Sequence, residues 1–541
     1  MLADDSSSKC TMGENMSSPA AEDQADASST RRPHFLANVL WSWGGVALNI
    51  FVGVFISRFL IRKLDDNRYG IWVLVTSLID YLWFFDLGFN TAVTNFLARF
   101  RARNEPEKIN VVMNTAMLYF SAVSAVLISI AIFASQHVDL MFPKTSAQDR
   151  HDIAALFLIT GISYGLFQMV HIFTSALDGF QRFDLTTRSY AIMLFFRSVG
   201  IITVLSMGYG LRALGGVYMA GQAIGYAMNV MSFRRVFPQL HLAPWRFASR
   251  PMLREMVRYG IPSFGVNVSN LVLGQSATIL IGRYRGMSAA GYYALPSRIL
   301  QYLVDAVSRV ALVTRSNAAE REASGQKESV WNLGVFSNRY CFILFAPLAL
   351  YLLVYGHDLV LIWLKQSFAD NSAPILYILV PAIWIVMAGQ YNSSAILFGL
   401  GTHNQYAQAL MVEAAANVAG MIYVIPRYGI VGAACVASGL MLLIRGIYTP
   451  YLLCKSLDGS LWRFLYEIYV MPILIGVPTI TVAILLKNTW LPGSNFGQLV
   501  LAGGIVAATY FGLAMFTCVD REHRVMLIEA LRRRIAARRA G

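Results

Sequence analysis

Long apolar stretches alternate with short polar connections from about residue 36 to residue 519. A helix needs about 20 apolar residues to cross the hydrocarbon core of a bilayer. Fourteen stretches come close to that length: 36–60, 69–95, 110–134, 152–176, 185–207, 212–235, 257–282, 290–314, 333–355, 374–400, 404–426, 428–453, 464–487 and 497–519. The pattern predicts an all-α polytopic membrane protein with about fourteen transmembrane helices. Those helices use up more than half of the chain, and no room is left for a separate soluble catalytic domain.

The remaining segments divide the chain. Residues 1–35 are rich in Ser, Ala and Asp and read as a disordered cytoplasmic tail. Residues 36–236 hold helices 1–6, and 237–256 form an amphipathic linker. Residues 257–455 hold helices 7–12, 456–519 hold helices 13–14, and 520–541 form an Arg-rich tail. No cleavable signal peptide is expected, because the first apolar stretch follows a polar, acidic lead.

Composition agrees with this reading. Hydrophobic residues make up 56% and charged residues 14% of the 541 positions, which excludes an ordinary soluble enzyme and a disordered chain. The net charge of +14 is spread over loops and the C-terminal tail, without the aromatic-interleaved basic patch of a nucleic-acid binder. With a cytoplasmic N-terminus, the inner connections carry 26 Lys and Arg and the outer ones 12. Both termini are therefore expected in the cytoplasm. The first outer connection, with Arg58, Arg62, Lys63 and Arg68, runs against that bias.

A faint repeat accompanies the pattern. Arg62, Gly70 and Leu74 recur at one fixed offset as Arg283, Gly291 and Leu295. Tyr209-Gly210-Leu211 recurs at nearly the same offset as Tyr428-Gly429-Ile430. Both matches lie in expected outer connections. They favour two six-helix lobes in parallel orientation with a two-helix extension, and a substrate site between the lobes.

Enzyme signatures are missing. The chain has no phosphate loop, no His-Glu-x-x-His, no nucleophile elbow and no metal-spaced Cys/His cluster. The five cysteines suggest neither a disulfide framework nor a metal site, and no cofactor is expected. A glycan polymerase or ligase would need a sizeable outer loop, whereas the longest here, 135–151 and 356–373, have fewer than twenty residues.

Ionisable residues within apolar helices carry the functional information, because a central charge costs at least about 2.5–3.5 kcal/mol unless it is paired or faces water. Arg298 lies about eight residues into helix 8 with no acid three or four positions away, so it calls for an anion such as a transported phosphate. Arg197, midway along helix 5, is a second candidate for substrate binding. Asp80 and Glu413 are candidates for proton or sodium coupling, and Asp80 is equally a candidate partner of Arg197. Asp305 and Arg309, four apart on helix 8, read as a supporting ion pair. Arg339 and Arg445 lie near inner helix ends and read as snorkelling cations. Gly161-x-x-x-Gly165 and Gly221-x-x-x-Gly225 read as helix-packing signals.

Several stretches resemble a known family. Phe85-Asp86-Leu87-Gly88 followed by Asn95-Phe96-Leu97-Ala98-Arg99-Phe100-Arg101-Ala102 is similar to the second-helix exit of polysaccharide and O-antigen flippases (Wzx-type). These belong to the multidrug/oligosaccharidyl-lipid/polysaccharide exporter superfamily. Pro244-Trp245-Arg246-Phe247 with Tyr259-Gly260-Ile261-Pro262, and Tyr428-Gly429-Ile430-Val431-Gly432-Ala433-Ala434, resemble that family's approaches to helices 7 and 12. The resemblance covers about residues 35–455.

It implies a V-shaped pair of lobes working by alternating access in the bacterial inner membrane. The implied cargo is an oligosaccharide on undecaprenyl diphosphate, destined for O-antigen, lipopolysaccharide or exopolysaccharide. Association with polysaccharide assembly proteins is implied too. Tyr292-Tyr293-Ala294-Leu295-Pro296-Ser297-Arg298-Ile299-Leu300 resembles the eighth-helix segment of lipid II flippases, which assigns Arg298 to the cavity. The alternatives are a cation-coupled multidrug exporter and, less favoured, a membrane glycan polymerase or ligase.

Overall fold

The computed structural model describes residues 44–45 and 48–519, apart from 144, 324–326 and 403, together with residue 524. The expected N-terminal tail and nearly all of the C-terminal tail lie outside the described residues. So do the side chains of Asp305 and Arg309. Among the described residues there are helices and no strands.

Helix 1 covers 48–63. Helix 2 is broken, with Asp66–Asp86 and Phe89–Ala102 meeting at 49°. Leu87 and Gly88 make the bend, both with positive φ. Gly88 accepts this conformation without a Cβ penalty, and its backbone lies against that of Gly260. Helices 3–6 are Pro106–Gln136, Ala147–Gly179, Phe183–Ser206 and Leu211–Val236. Helices 7–9 are Arg250–Arg285, Met287–Ala323 and Lys327–Trp363. Helix 10 spans Gln366–Gly399, and Asn404–Ser456 holds two helices, 11 and 12, divided at Gly429. Helices 13 and 14 are Leu461–Thr489 and Phe496–Thr517.

By length and hydropathy, nine of the described helices are able to cross a membrane, or ten with the bent pair. The expected fourteen is not reached by that measure, for physical reasons. Helix 1 extends toward residues outside the description, helix 6 is glycine-rich with Arg212, Arg234 and Arg235 at its ends, and helix 8 carries Arg298, Asp305 and Arg309 in its sequence. Helices 11 and 12 count as one.

Three apolar clusters organise the packing. One lies within helices 2–7 and includes Phe89, Phe120, Phe173 and Phe233. A second joins helices 7–14 through Tyr355, Ile375, Ile425 and Val506. The third lies at the expected outer ends and joins both halves of the chain, with Ile61, Ile71, Leu74, Leu211, Met287, Leu295 and Phe368 buried together. The glycine pairs pack as expected. Gly161 and Gly165 face Ala131 and Ile128 of helix 3, while Gly221 and Gly225 face Arg197 and Met193 of helix 5.

The linker is held more firmly than its polar sequence implies. Asn110 and Asn114 of helix 3 each donate to and accept from it: Asn110 bonds Gln239 O (3.0 Å) and His241 N (2.8 Å), and Asn114 bonds His241 O (2.7 Å) and Ala243 N (2.8 Å). Thr115 Oγ1 then accepts from Ser249 N at the start of helix 7.

Candidate functional site

Helix 2 packs against helices 7 and 8, and this seam places the polar residues of interest. Asp80, at the end of the α-helical part of helix 2, accepts from Gln275 Nε2 of helix 7 at 3.0 Å. The neighbouring Tyr81 hydroxyl is 2.5 Å from Ser276 Oγ. Asn267 and Asn270, earlier on helix 7, are exposed.

Arg298 follows Pro296 in helix 8 and is exposed. Among the described side chains no carboxylate lies within 4 Å of it, although its charge acts on both Asp80 and Tyr69 of helix 2. Arg197 is half-buried, with its guanidinium carbon 4.7 Å from the ring centre of Tyr218 on helix 6. Asp80 and Arg197 are therefore not partners: one bonds Gln275 and the other stacks on an aromatic ring.

Phenols lie within the field of each arginine. Tyr69 lies within electrostatic reach of Arg298 and of Tyr302, and Tyr190 within reach of Tyr302 and of Arg197. Tyr190 also donates to Asn49 Oδ1 of helix 1 at 2.7 Å. Sequence reading found the cations and missed Asn49, Tyr69, Tyr190 and Tyr302, since a lone tyrosine in an apolar helix carries no periodic signal.

A second polar group sits below the bend of helix 2. Asn90 Nδ2 donates to Asp86 Oδ1, and Asn90 Oδ1 accepts from Ser175 Oγ at 2.7 Å and lies 3.2 Å from His171 Nδ1. The half-buried Tyr164 is within electrostatic reach of both Asp80 and Asp86.

Of the two roles left open for Asp80, the pairing with Arg197 is not the one the structure shows. One expectation needs correcting, that of Arg445, which does not snorkel to a helix end. Its side chain is only 11% exposed and pairs with Glu413, itself 1% exposed, at 2.9 Å. A π-helical segment, Leu442–Tyr448, carries Arg445, and Glu413 is thereby already occupied by an internal cation. Among the described residues no cluster of His, Cys, Asp or Glu could hold a metal ion.

The sequence pattern of the family described as polysaccharide biosynthesis protein matches residues 35–314, just over half of the chain. A provisionally named O-antigen transporter of Shigella flexneri is 22% identical over 405 residues, covering 74% of this chain and 93% of that protein. The inward closed form of the lipid II flippase MurJ superposes with a TM-score of 0.68 at 14% identity, over 89% of this chain and 98% of that one. An inward-facing multidrug resistance MATE family transporter of the MOP superfamily gives 0.65 at 11% identity, over 76% and 95%. The fold is that of these transporters.

Proposed function

The chain belongs to the polysaccharide biosynthesis protein family, and we propose that this multi-pass membrane transporter flips a lipid-linked oligosaccharide from the inner to the outer leaflet. The observation that carries the reading is the exposed Arg298 of helix 8, which has no carboxylate within 4 Å among the described side chains. A polyprenyl diphosphate presents two adjacent phosphates to such a cation while its tail stays in lipid. Each charge-assisted bond contributes about 1.5–3 kcal/mol. The two six-helix lobes then rock about the site, with both termini in the cytoplasm and the protein in the bacterial inner membrane.

Rocking requires a ligand or ion that binds the two states unequally. Asp80 is the candidate for proton or sodium coupling, since it stands between Gln275 and the field of Arg298. Glu413 is the weaker candidate because Arg445 neutralises it.

The test uses purified protein in liposomes loaded with labelled undecaprenyl-diphosphate oligosaccharide, and follows exposure of the sugar to a membrane-impermeant reagent. Faster exposure with protein, slowed in Arg298→Ala, supports the reading. A second reading, a cation-coupled drug exporter, is favoured by Asp80 and Asp86 near Tyr164. Export of an organic cation without exposure of any sugar carrier would establish it instead.

A further inference from the structure

The expected outer ends of the two halves are joined by two arginine contacts that mirror each other. Arg62, at the end of helix 1, donates from Nη2 to the carbonyl of Ile362 at 3.2 Å, near the end of helix 9. Arg283, at the end of helix 7, donates from Nη1 to the carbonyls of Leu140 and Met141 at 2.8 and 2.7 Å, just past helix 3. The step along the chain from Arg62 to Arg283 equals the step from Met141 to Ile362. The first helix of each half therefore reaches the end of the third helix of the other half, with the same residue type and the same register.

We infer that Arg62 and Arg283 form a reciprocal latch that holds the two lobes together on the outer side and must release before cargo can leave there. Backbone carbonyls are suitable acceptors for this role. They have a fixed position at a helix end, where the last carbonyls lack intrahelical partners. The bond breaks when the lobes part, and water then takes both groups without leaving a buried charge. Both arginines are exposed, so the latch contributes modestly and can open on the time scale of transport. Beneath it, Gly70 and Gly291, the glycines of the same repeat, bring helices 2 and 8 into backbone contact, so latch and seam belong to one closed state. The latch gives a role to Arg62, one of the four basic residues at this turn that run against the charge bias used to orient the chain.

The inference rests on the rocking part of the proposed function, not on its cargo. The test measures the distance between spin labels at Tyr209→Cys and Tyr428→Cys, exposed positions at the outer turns of the two lobes. The full chain is used in nanodiscs, with Cys10 and the exposed Cys435 replaced by serine. Cys341, Cys454 and Cys518 are buried.

Arg62→Ala and Arg283→Ala should each raise the ratio of long to short distances roughly three- to tenfold, as expected for loss of an exposed charged hydrogen bond. The double variant should give about the product of the two changes. If the double alanine variant does not fold, the pair Arg62→Lys and Arg283→Lys must still raise the ratio, because a single ammonium does not reproduce the guanidinium geometry. Arg212→Ala removes an outer arginine that pairs with Asp152 between helices 4 and 6, within one half of the chain, and should leave the ratio unchanged. Unchanged distances in the latch variants, or an equal change in Arg212→Ala, overturn the latch. Because no cargo is needed, failed flipping with altered distances counts against the cargo alone.

Discussion

Glu413 and Arg445 meet inside the helical bundle, with both carboxylate oxygens 2.9 Å from the guanidinium Nε. The pair joins helices 11 and 12, and Tyr406 lies within its field. A charge buried this deeply is tolerated because its partner is buried with it. Removing only one member leaves an uncompensated ion, at a cost of about 3–5 kcal/mol. Glu413→Gln should therefore lower the thermal unfolding temperature markedly. The double change Glu413→Leu with Arg445→Met should recover much of that loss. If Glu413 instead served as a coupling site, Glu413→Gln would keep its stability and lose only its response to an ion gradient.

Arg298 and Arg197 make different demands on their surroundings. The exposed Arg298 should bind the cargo in its resting state, while Arg197 is held by the ring of Tyr218. Arg298→Ala should slow flipping by about 10- to 100-fold, matching the loss of one charge-assisted bond, with no change in unfolding temperature. Arg298→Lys should restore part of the rate. Arg197→Leu should slow flipping and also lower stability by about 0.5–2 kcal/mol, because the cation–π contact goes with the charge. Equal stability effects at the two positions would undo this assignment.

The linker contacts yield a prediction about stability alone. Asn114 bonds the carbonyl of His241 and the amide of Ala243 at once, and is fully buried. Asn114→Ala leaves two backbone groups without partners, at about 1–3 kcal/mol each. Hydrogen exchange should rise first across residues 239–249, ahead of the helices that flank them. Uniform destabilisation of the whole chain would show that the linker is not a separate unit.

How far the sequence reaches is clear from these residues. Its apolar runs predict where the helices fall, because crossing a bilayer demands a length that is visible in one dimension. The faint repeat also has a physical basis, since Gly70 meets Gly291 and Arg62 mirrors Arg283. Side-chain partners are another matter. Nothing in the spacing tells that Arg445 turns inward, because the π-helical segment that carries it has no simple pattern. Asp80 could be assigned to Arg197 on charge alone, yet Gln275, an uncharged residue from a distant helix in the chain, takes the bond. Helix rotation and tilt decide such contacts, and they follow from packing across the whole bundle.

The same packing distinguishes two glycines that the repeat treats as equivalent. A Cβ placed on Gly70 would lie 1.8 Å from the carbonyl oxygen of Met287, a backbone atom that cannot move without its helix. A Cβ on Gly291 would meet the ring of Tyr69 at 3.1 Å and the backbone of Gly70 at 3.4 Å, contacts that a shift of a few tenths of an ångström relieves. Gly70→Ala should therefore prevent the outer seam from closing, at a cost in the closed state of about 1–3 kcal/mol or more, as for other overpacked sites. Gly291→Ala should cost little, and its gain in helix propensity offsets part of the strain. Distances between labels on the outer turns should lengthen in Gly70→Ala and stay near the parent value in Gly291→Ala. Flipping should fall in Gly70→Ala, because a transporter that cannot close one side cannot complete its cycle. Similar behaviour of the two variants would mean that helices 2 and 8 do not close as tightly as Gly70 and Met287 place them.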